Sequence, residues 1–207
     1  MPRASSRSRT RVRSRVAITA LLACGATAGL GAGTAGGATV PIDPVSLLPG
    51  AGNGGSSGSR SCPDARRRPA RVGHRRARAA LLCAINRARV AHGLRPWAID
   101  PPLRRAAGRQ AADLVRRHYF AHVRAGGPDV LARLRAAGWS GTAYGEALAW
   151  GCGRRARPRA TVRSWLASPM HRAILLSPLY RDAGVGVWDR APGGCRGGTW
   201  VLDAGLS

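Results

Sequence analysis

The stretch Ser164–Trp188, SWLASPMHRAILLSPLYRDAGVGVW, decides how the chain reads. It opens on a helical pattern, with Val162, Trp165 and Leu166 on one apolar face. Ser168-Pro169 stops that helix and starts another, since Ser favours the N-cap and Pro the first helical position. His171 then falls in the first turn, where the positive end of the helix dipole disfavours imidazolium and leaves a neutral ring able to accept a proton or a metal. After Ser177-Pro178 the period changes from helix to strand: Ala183, Val185 and Val187 alternate with Gly184, Gly186 and Trp188. Helix, polar corner, helix and strand in this order can present a side chain to a cleft.

Working outward, further helices are expected from near Ala79 to Gly93, from Asp100-Pro101 through Val115, from about Pro128 to Ala137 and over Pro158–Ala167. A second strand is expected at Thr199–Leu202, joined to the first through the Gly-rich link Ala191–Gly198. The N-terminal side is different. Residues 1–38 read as an export signal, with a basic Arg3–Arg15 region, an apolar Val16–Leu30 run and small residues near Gly36–Ala38. Leu21-Leu22-Ala23-Cys24 also resembles a lipoprotein box, so anchoring through an acylated Cys24 is the alternative to free secretion. Residues 39–78, Gly/Ser-rich and then Arg-rich, cannot bury a core and read as a tether. Residues 79–207 make the folded domain.

The formal net charge of +25 invites a nucleic-acid reading. The chain has no Lys, however: all 34 basic residues are Arg, as a coding bias would give. Six Arg lie in the first 15 residues and eight between Arg60 and Arg78, and the rest are spread over several helices. No specific nucleic acid is expected as partner; non-specific attraction to anionic polymers or lipids is. Four cysteines remain beside Cys24, which in an exported chain reads as two disulfides with three possible connectivities. The favoured pairing is Cys152–Cys195, tying the loop after Trp150 to the terminal hairpin, with Cys62–Cys83 pinning the tether to the first helix.

Four stretches together resemble the CAP superfamily (cysteine-rich secretory proteins, antigen 5, pathogenesis-related 1) in its bacterial, SCP-domain form. They are Leu82–Arg95 (LCAINRARVAHGLR), Tyr119–His122 (YFAH), Tyr144–Gly151 (YGEALAWG), and Ser164–Val187 with its Trp-x-x-Ser-Pro-x-His-Arg pattern. The resemblance implies an α+β fold, an α-β-α sandwich with a small antiparallel sheet between helical layers. It also implies that His122, Glu146 and His171 converge on a surface cleft. Ala147 and Ile174 stand where the family pattern has Asn, and Glu146 is the sole Glu of the chain, so a second cavity Glu has no counterpart.

Two His and one Glu are the donors of an open zinc site, or without metal an acid/base pair. They can equally form a structural network that satisfies buried groups. Members of the superfamily are mostly binding modules, with lipids, sterols and cell-surface components among their ligands. The chain therefore reads as an exported CAP-domain binding module of the cell envelope, its lipid, glycan or protein ligand open. The alternatives are a zinc-dependent hydrolase using His122, His171 and Glu146, and a scaffold with a vestigial cleft. Asp203 reads as a structural hydrogen-bonder. His74, His92 and His118 carry no role, and Trp150, Trp165 and Trp188 read as core.

Overall fold

A computed structural model describes residues 61–207 and the backbone of residues 18–24. The chain forms β1 (Ile18–Cys24), α1 (Pro69–Ala91), β2 (Ala98–Ile99), α2 (Pro101–Arg116), α3 (Val130–Ala136) and β3 (Ala143–Cys152). A 3₁₀ turn over Gly153–Ala156, α4 (Pro158–Leu166), α5 (Pro169–Leu175), β4 (Asp182–Arg190) and β5 (Arg196–Leu206) complete it. The strands make one sheet in the order β1-β3-β5-β4-β2. All neighbours are antiparallel except β2 and β4, which pair parallel, so the sheet is mixed rather than purely antiparallel. No described helix is long and apolar enough to cross a membrane.

Strand alternation assigns the two helical layers. Ala147 and Ala149 of β3, Val185 and Val187 of β4, and Trp200 and Leu202 of β5 pack with Leu81, Ile85, Trp165, Ile174 and Leu175. That face belongs to α1, α4 and α5. Leu148 and Val201, one residue out of phase, pack with Ala107, Ala111 and Leu114 of α2. Leu103, Ala106, Val130 and Leu134 join α2 to α3 on the same side. The result is the α-β-α sandwich of an α+β domain.

The glycines of the Gly-Val-Gly-Val strand have a specific task. A Cβ on Gly184 would strike the backbone of Leu103 and Arg104, and one on Gly186 the backbone of Ala107. Helix α2 therefore lies directly on the β4 main chain, closer than any side chain would permit. Asp100 starts this helix as an N-cap, Oδ1 accepting from the amide of Leu103 at 2.6 Å. Asp129 caps α3 in the same way, through the amide of Ala132 at 2.7 Å.

The Asn86-x-x-Arg89 signature of α1 ties three elements. Asn86 exchanges hydrogen bonds with the main chain of Trp97 at 2.9 and 3.0 Å. Arg89, buried, donates to the carbonyls of Arg95, Leu175 and Ser177 and lies over the Trp97 ring at 4.2 Å. Its guanidinium thereby closes the C-terminal end of α5, whose last carbonyls need donors.

The tether boundary moves. Helix α1 begins at Pro69, not near Ala79, with a break at Gly73, which takes φ +77°. Residues 62–78 are ordered because Cys62 is bonded to Cys83, Arg76 pairs with Asp64 at 2.8 Å, and Pro69 is buried. Both disulfides have the favoured connectivity, with Cα separations of 5.7 Å for Cys62–Cys83 and 5.9 Å for Cys152–Cys195. The rest of the export-signal and tether readings lies outside the described residues. Within them, Ile18–Cys24 runs as a strand along β3, Leu21 opposite Glu146.

Candidate functional site: a buried carboxylate network beside an arginine-lined groove

Strand β3 delivers Glu146 to the α2/α3 face, because Ala147 and Ala149 occupy the other. Its carboxylate is 1% exposed and engaged on both oxygens. His122 Nδ1 donates to Oε1 at 2.6 Å, and Arg133 Nη2 donates to Oε2 at 2.6 Å. Arg133 Nη1 also holds the carbonyl of His122 at 2.7 Å, so one guanidinium on α3 fixes both members of the pair. An Arg fork and an imidazole on one carboxylate make a rigid, charge-assisted unit.

Asp203 stands directly opposite Glu146 in the β3–β5 ladder and is 2% exposed. Burial holds its carboxyl well above the usual range; the Glu146 charge and a hydrogen bond with Glu146 add to this, and Arg133 only partly opposes it. Asp203 thus carries a proton when a free Asp would not. Asp203 Oδ1 and His122 Nε2 are buried without hydrogen-bond partners among the described residues.

His171 lies elsewhere. It is buried on α5, Nδ1 2.8 Å from Ser168 Oγ, with its ring stacked on Trp165 at 6.5 Å and 18°. Trp165 belongs to the core on the Ala147 face, so the sheet separates His171 from Glu146. His122 and Glu146 meet, both buried and neither lining the groove between α2 and α3, and His171 does not join them. One residue of strand phase is the physical reason. Ser168 precedes α5 but gives its hydroxyl to His171 rather than capping the helix.

Zinc does not fit this arrangement. Both oxygens of Glu146 are committed, the two His sit on opposite faces, and no described group of three His, Cys, Asp or Glu is placed to hold a metal ion. Of the other histidines, His74 meets the Trp188 ring at 5.5 Å, His92 bonds the carbonyl of Ala88, and His118 that of Pro192.

Arg133 has a second face. With α2 and the 119–128 loop it lines a groove of about 410 Å³ between α2 and α3. Tyr119 and Asp113 form one wall, the Tyr119 hydroxyl donating to Asp113 Oδ2 at 2.8 Å. Burial and the Asp113 charge push the Tyr119 phenol up to about 12. Burial raises the Asp113 carboxyl, but the bonds from Tyr119 and Arg117 outweigh it and leave it below its ordinary value. Sequence reading did not single out Arg133, one among 34 basic residues. Its signal was its place one turn after Asp129 on a short helix facing the sole Glu.

The family model for CAP, the cysteine-rich secretory protein family, matches residues 82–203. No curated protein matches. Among solved structures, an extracellular SCP-domain protein of Bacillus anthracis is similar at 21% identity and a TM-score of 0.53, over 65% of this chain and 40% of that one. An outer surface protein of Borrelia burgdorferi is similar at 22% identity and 0.53, over 60% and 88%. A cysteine-rich secretory protein of Staphylococcus aureus is similar at 18% and 0.52, over 65% and 40%. The chain thus spans less than half the length of two of these proteins; the likeness is one of fold. With its mixed sheet between two helical layers, its signature stretches in order and the matching family model, the chain belongs to the CAP, or cysteine-rich secretory protein, family.

Proposed function

We propose that this protein is an exported CAP-domain binding module of the cell envelope, in which Glu146 organises a binding surface and performs no chemistry. One observation carries the reading: Glu146 is 1% exposed with both carboxylate oxygens taken, by His122 and by Arg133. A general base needs a lone pair within reach of the proton it removes. Here the lone pairs hold a loop and a helix to the sheet. Export is supported by the two disulfides, which persist in oxidising compartments, and by solved relatives described as extracellular or outer-surface proteins. Anchoring through Cys24 is tested by the mass of the exported chain.

The deciding experiment is zinc calorimetry on the chelator-treated, oxidised protein, run beside His122→Ala and His171→Ala. No stoichiometric zinc site is expected. One site abolished by both substitutions would overturn the reading and restore the hydrolase, because it would require the two imidazoles to meet.

A further inference from the structure

We propose that the groove between α2 and α3 is an oxyanion site that takes phosphate groups, with Arg109 and Arg124 as its anchors. Five arginines line it, Arg109, Arg116, Arg117, Arg124 and Arg133, against a single acid, Asp113. The Arg-rich composition does not explain this by itself. A cavity of about 430 Å³ beside Trp150 and Pro192 has no Arg in its lining, and one of about 390 Å³ beside Thr161 has two.

The arginines divide by commitment. Arg133 is spent on Glu146 and the His122 carbonyl, and Arg117 on Asp113 at 2.8 Å. Arg116 leans over the Trp188 ring at 5.7 Å. Arg109 makes no hydrogen bond or ion pair among the described residues, and Arg124 makes a single long one, 3.4 Å, to the carbonyl of Ala125. Two guanidiniums, one from α2 and one from the loop, thus face the same cavity with donors to spare. Asp113 attracts Arg124 through its charge but makes no hydrogen bond with it or with Arg109, since Tyr119 and Arg117 occupy its oxygens.

The number of donors selects the anion. A carboxylate has two oxygens and is saturated by one Arg fork and one further donor, as Glu146 shows. Two open forks ask for an anion with more acceptor oxygens, and phosphate supplies them. Ala106, Ala132 and Pro128 leave the walls low beside the arginines, so the groove admits a phosphate carried on a larger body. The source is either a free phosphate or the repeating phosphodiester of an envelope polymer. This inference rests on the binding-module reading and names its ligand.

The test is calorimetry on the oxidised full chain at about 0.15 M salt, where diffuse attraction is screened beyond about 8 Å. The probes are inorganic phosphate and poly(glycerol phosphate). The Arg109→Gln/Arg124→Gln double variant is compared with Arg75→Gln/Arg87→Gln, which removes two exposed arginines of α1. Loss of two charge-assisted contacts should weaken binding at least about tenfold in the first variant and less than about threefold in the second. Binding of both probes marks free phosphate as sufficient; binding of the polymer alone marks the phosphodiester. Equal weakening in the two variants, or no binding of either probe, overturns the site. Should the groove variant not fold, phosphate must protect Arg109 and Arg124 of the unaltered chain from phenylglyoxal more than Arg75 and Arg87, and equal protection refutes it. A protein that binds neither probe yet shows no zinc site leaves the binding-module reading standing, so the two failures are distinguishable.

Discussion

Asp203→Asn should stabilise this protein at neutral pH, and by an amount that grows with pH. Asp203 is 2% exposed, faces Glu146 across the β3–β5 ladder, and keeps its proton in the fold because burial and the Glu146 charge both disfavour ionisation. In the unfolded chain the same group ionises above about pH 3.9. Between that pH and the raised folded value, the native state holds one more proton than the unfolded state. The stability contributed by Asp203 is therefore full below about pH 3.9 and declines as pH rises through this window. The slope for one proton is about 1.4 kcal/mol per pH unit. Asn keeps the shape and the donor toward Glu146 but cannot ionise, so it removes this slope. Urea unfolding followed by tryptophan fluorescence, at about pH 5 and about pH 6, reads the difference between the two proteins directly. The gap should widen in favour of the variant by up to about 1.4 kcal/mol, a ceiling of about 3–6 °C in Tm for a domain of this size. Parallel stability curves, or a gap that widens in favour of the unaltered protein, would refute the assignment of the proton to this pair.

Three further outcomes follow from contacts described above. Glu146→Ala leaves the Arg133 guanidinium and the His122 ring without their anion and should cost about 3 kcal/mol in urea unfolding, with a non-additive double mutant alongside Asp203→Asn. Gly186→Ala drives a methyl into the Ala107 main chain, where no rotamer gives relief; a loss of about 2 kcal/mol or more is expected, against under about 0.5 kcal/mol for Ala at the open Gly193. The Cys152→Ser/Cys195→Ser variant opens a loop with a sequence separation of 43 and should lose about 4 kcal/mol on the chain-entropy scale, read as a lower urea midpoint under oxidising conditions.

Much of the fold was written in local patterns. The Ser-Pro corner before α5, the Asp100 start of α2 and the alternation in β4 are decided by neighbours in sequence, and each appears where the pattern put it. Strand β3 was not legible as a strand. Its sequence, AYGEALAWGC, has no β-branched residue and owes its extended form to hydrogen bonding with β5 on one side and β1 on the other. The expected meeting of His171 with Glu146 came from the family resemblance, whereas the side of the sheet that Glu146 faces is set by strand phase. The start of α1 was hidden differently: Arg-rich composition resembles a tether, and only the pairing of Cys62 with Cys83 and the burial of Pro69 show otherwise. His122 and Glu146 were recoverable because motif order fixes them. Arg133 and the carboxyl pairing of Asp203 depend on contacts between distant elements.

The seating of α2 on Gly184 and Gly186 has a consequence for how this domain can diversify. Main chain rests on main chain there, so the helix cannot slide or rotate to absorb a change on its inner face. Its outer face, which bears Arg109 and Arg116, is free of that constraint, as is Arg117 at its C-cap. Replacing those side chains alters what the groove presents without moving the platform that presents it. One half of the helix is thereby committed to the fold, and the other is left open to a change of ligand.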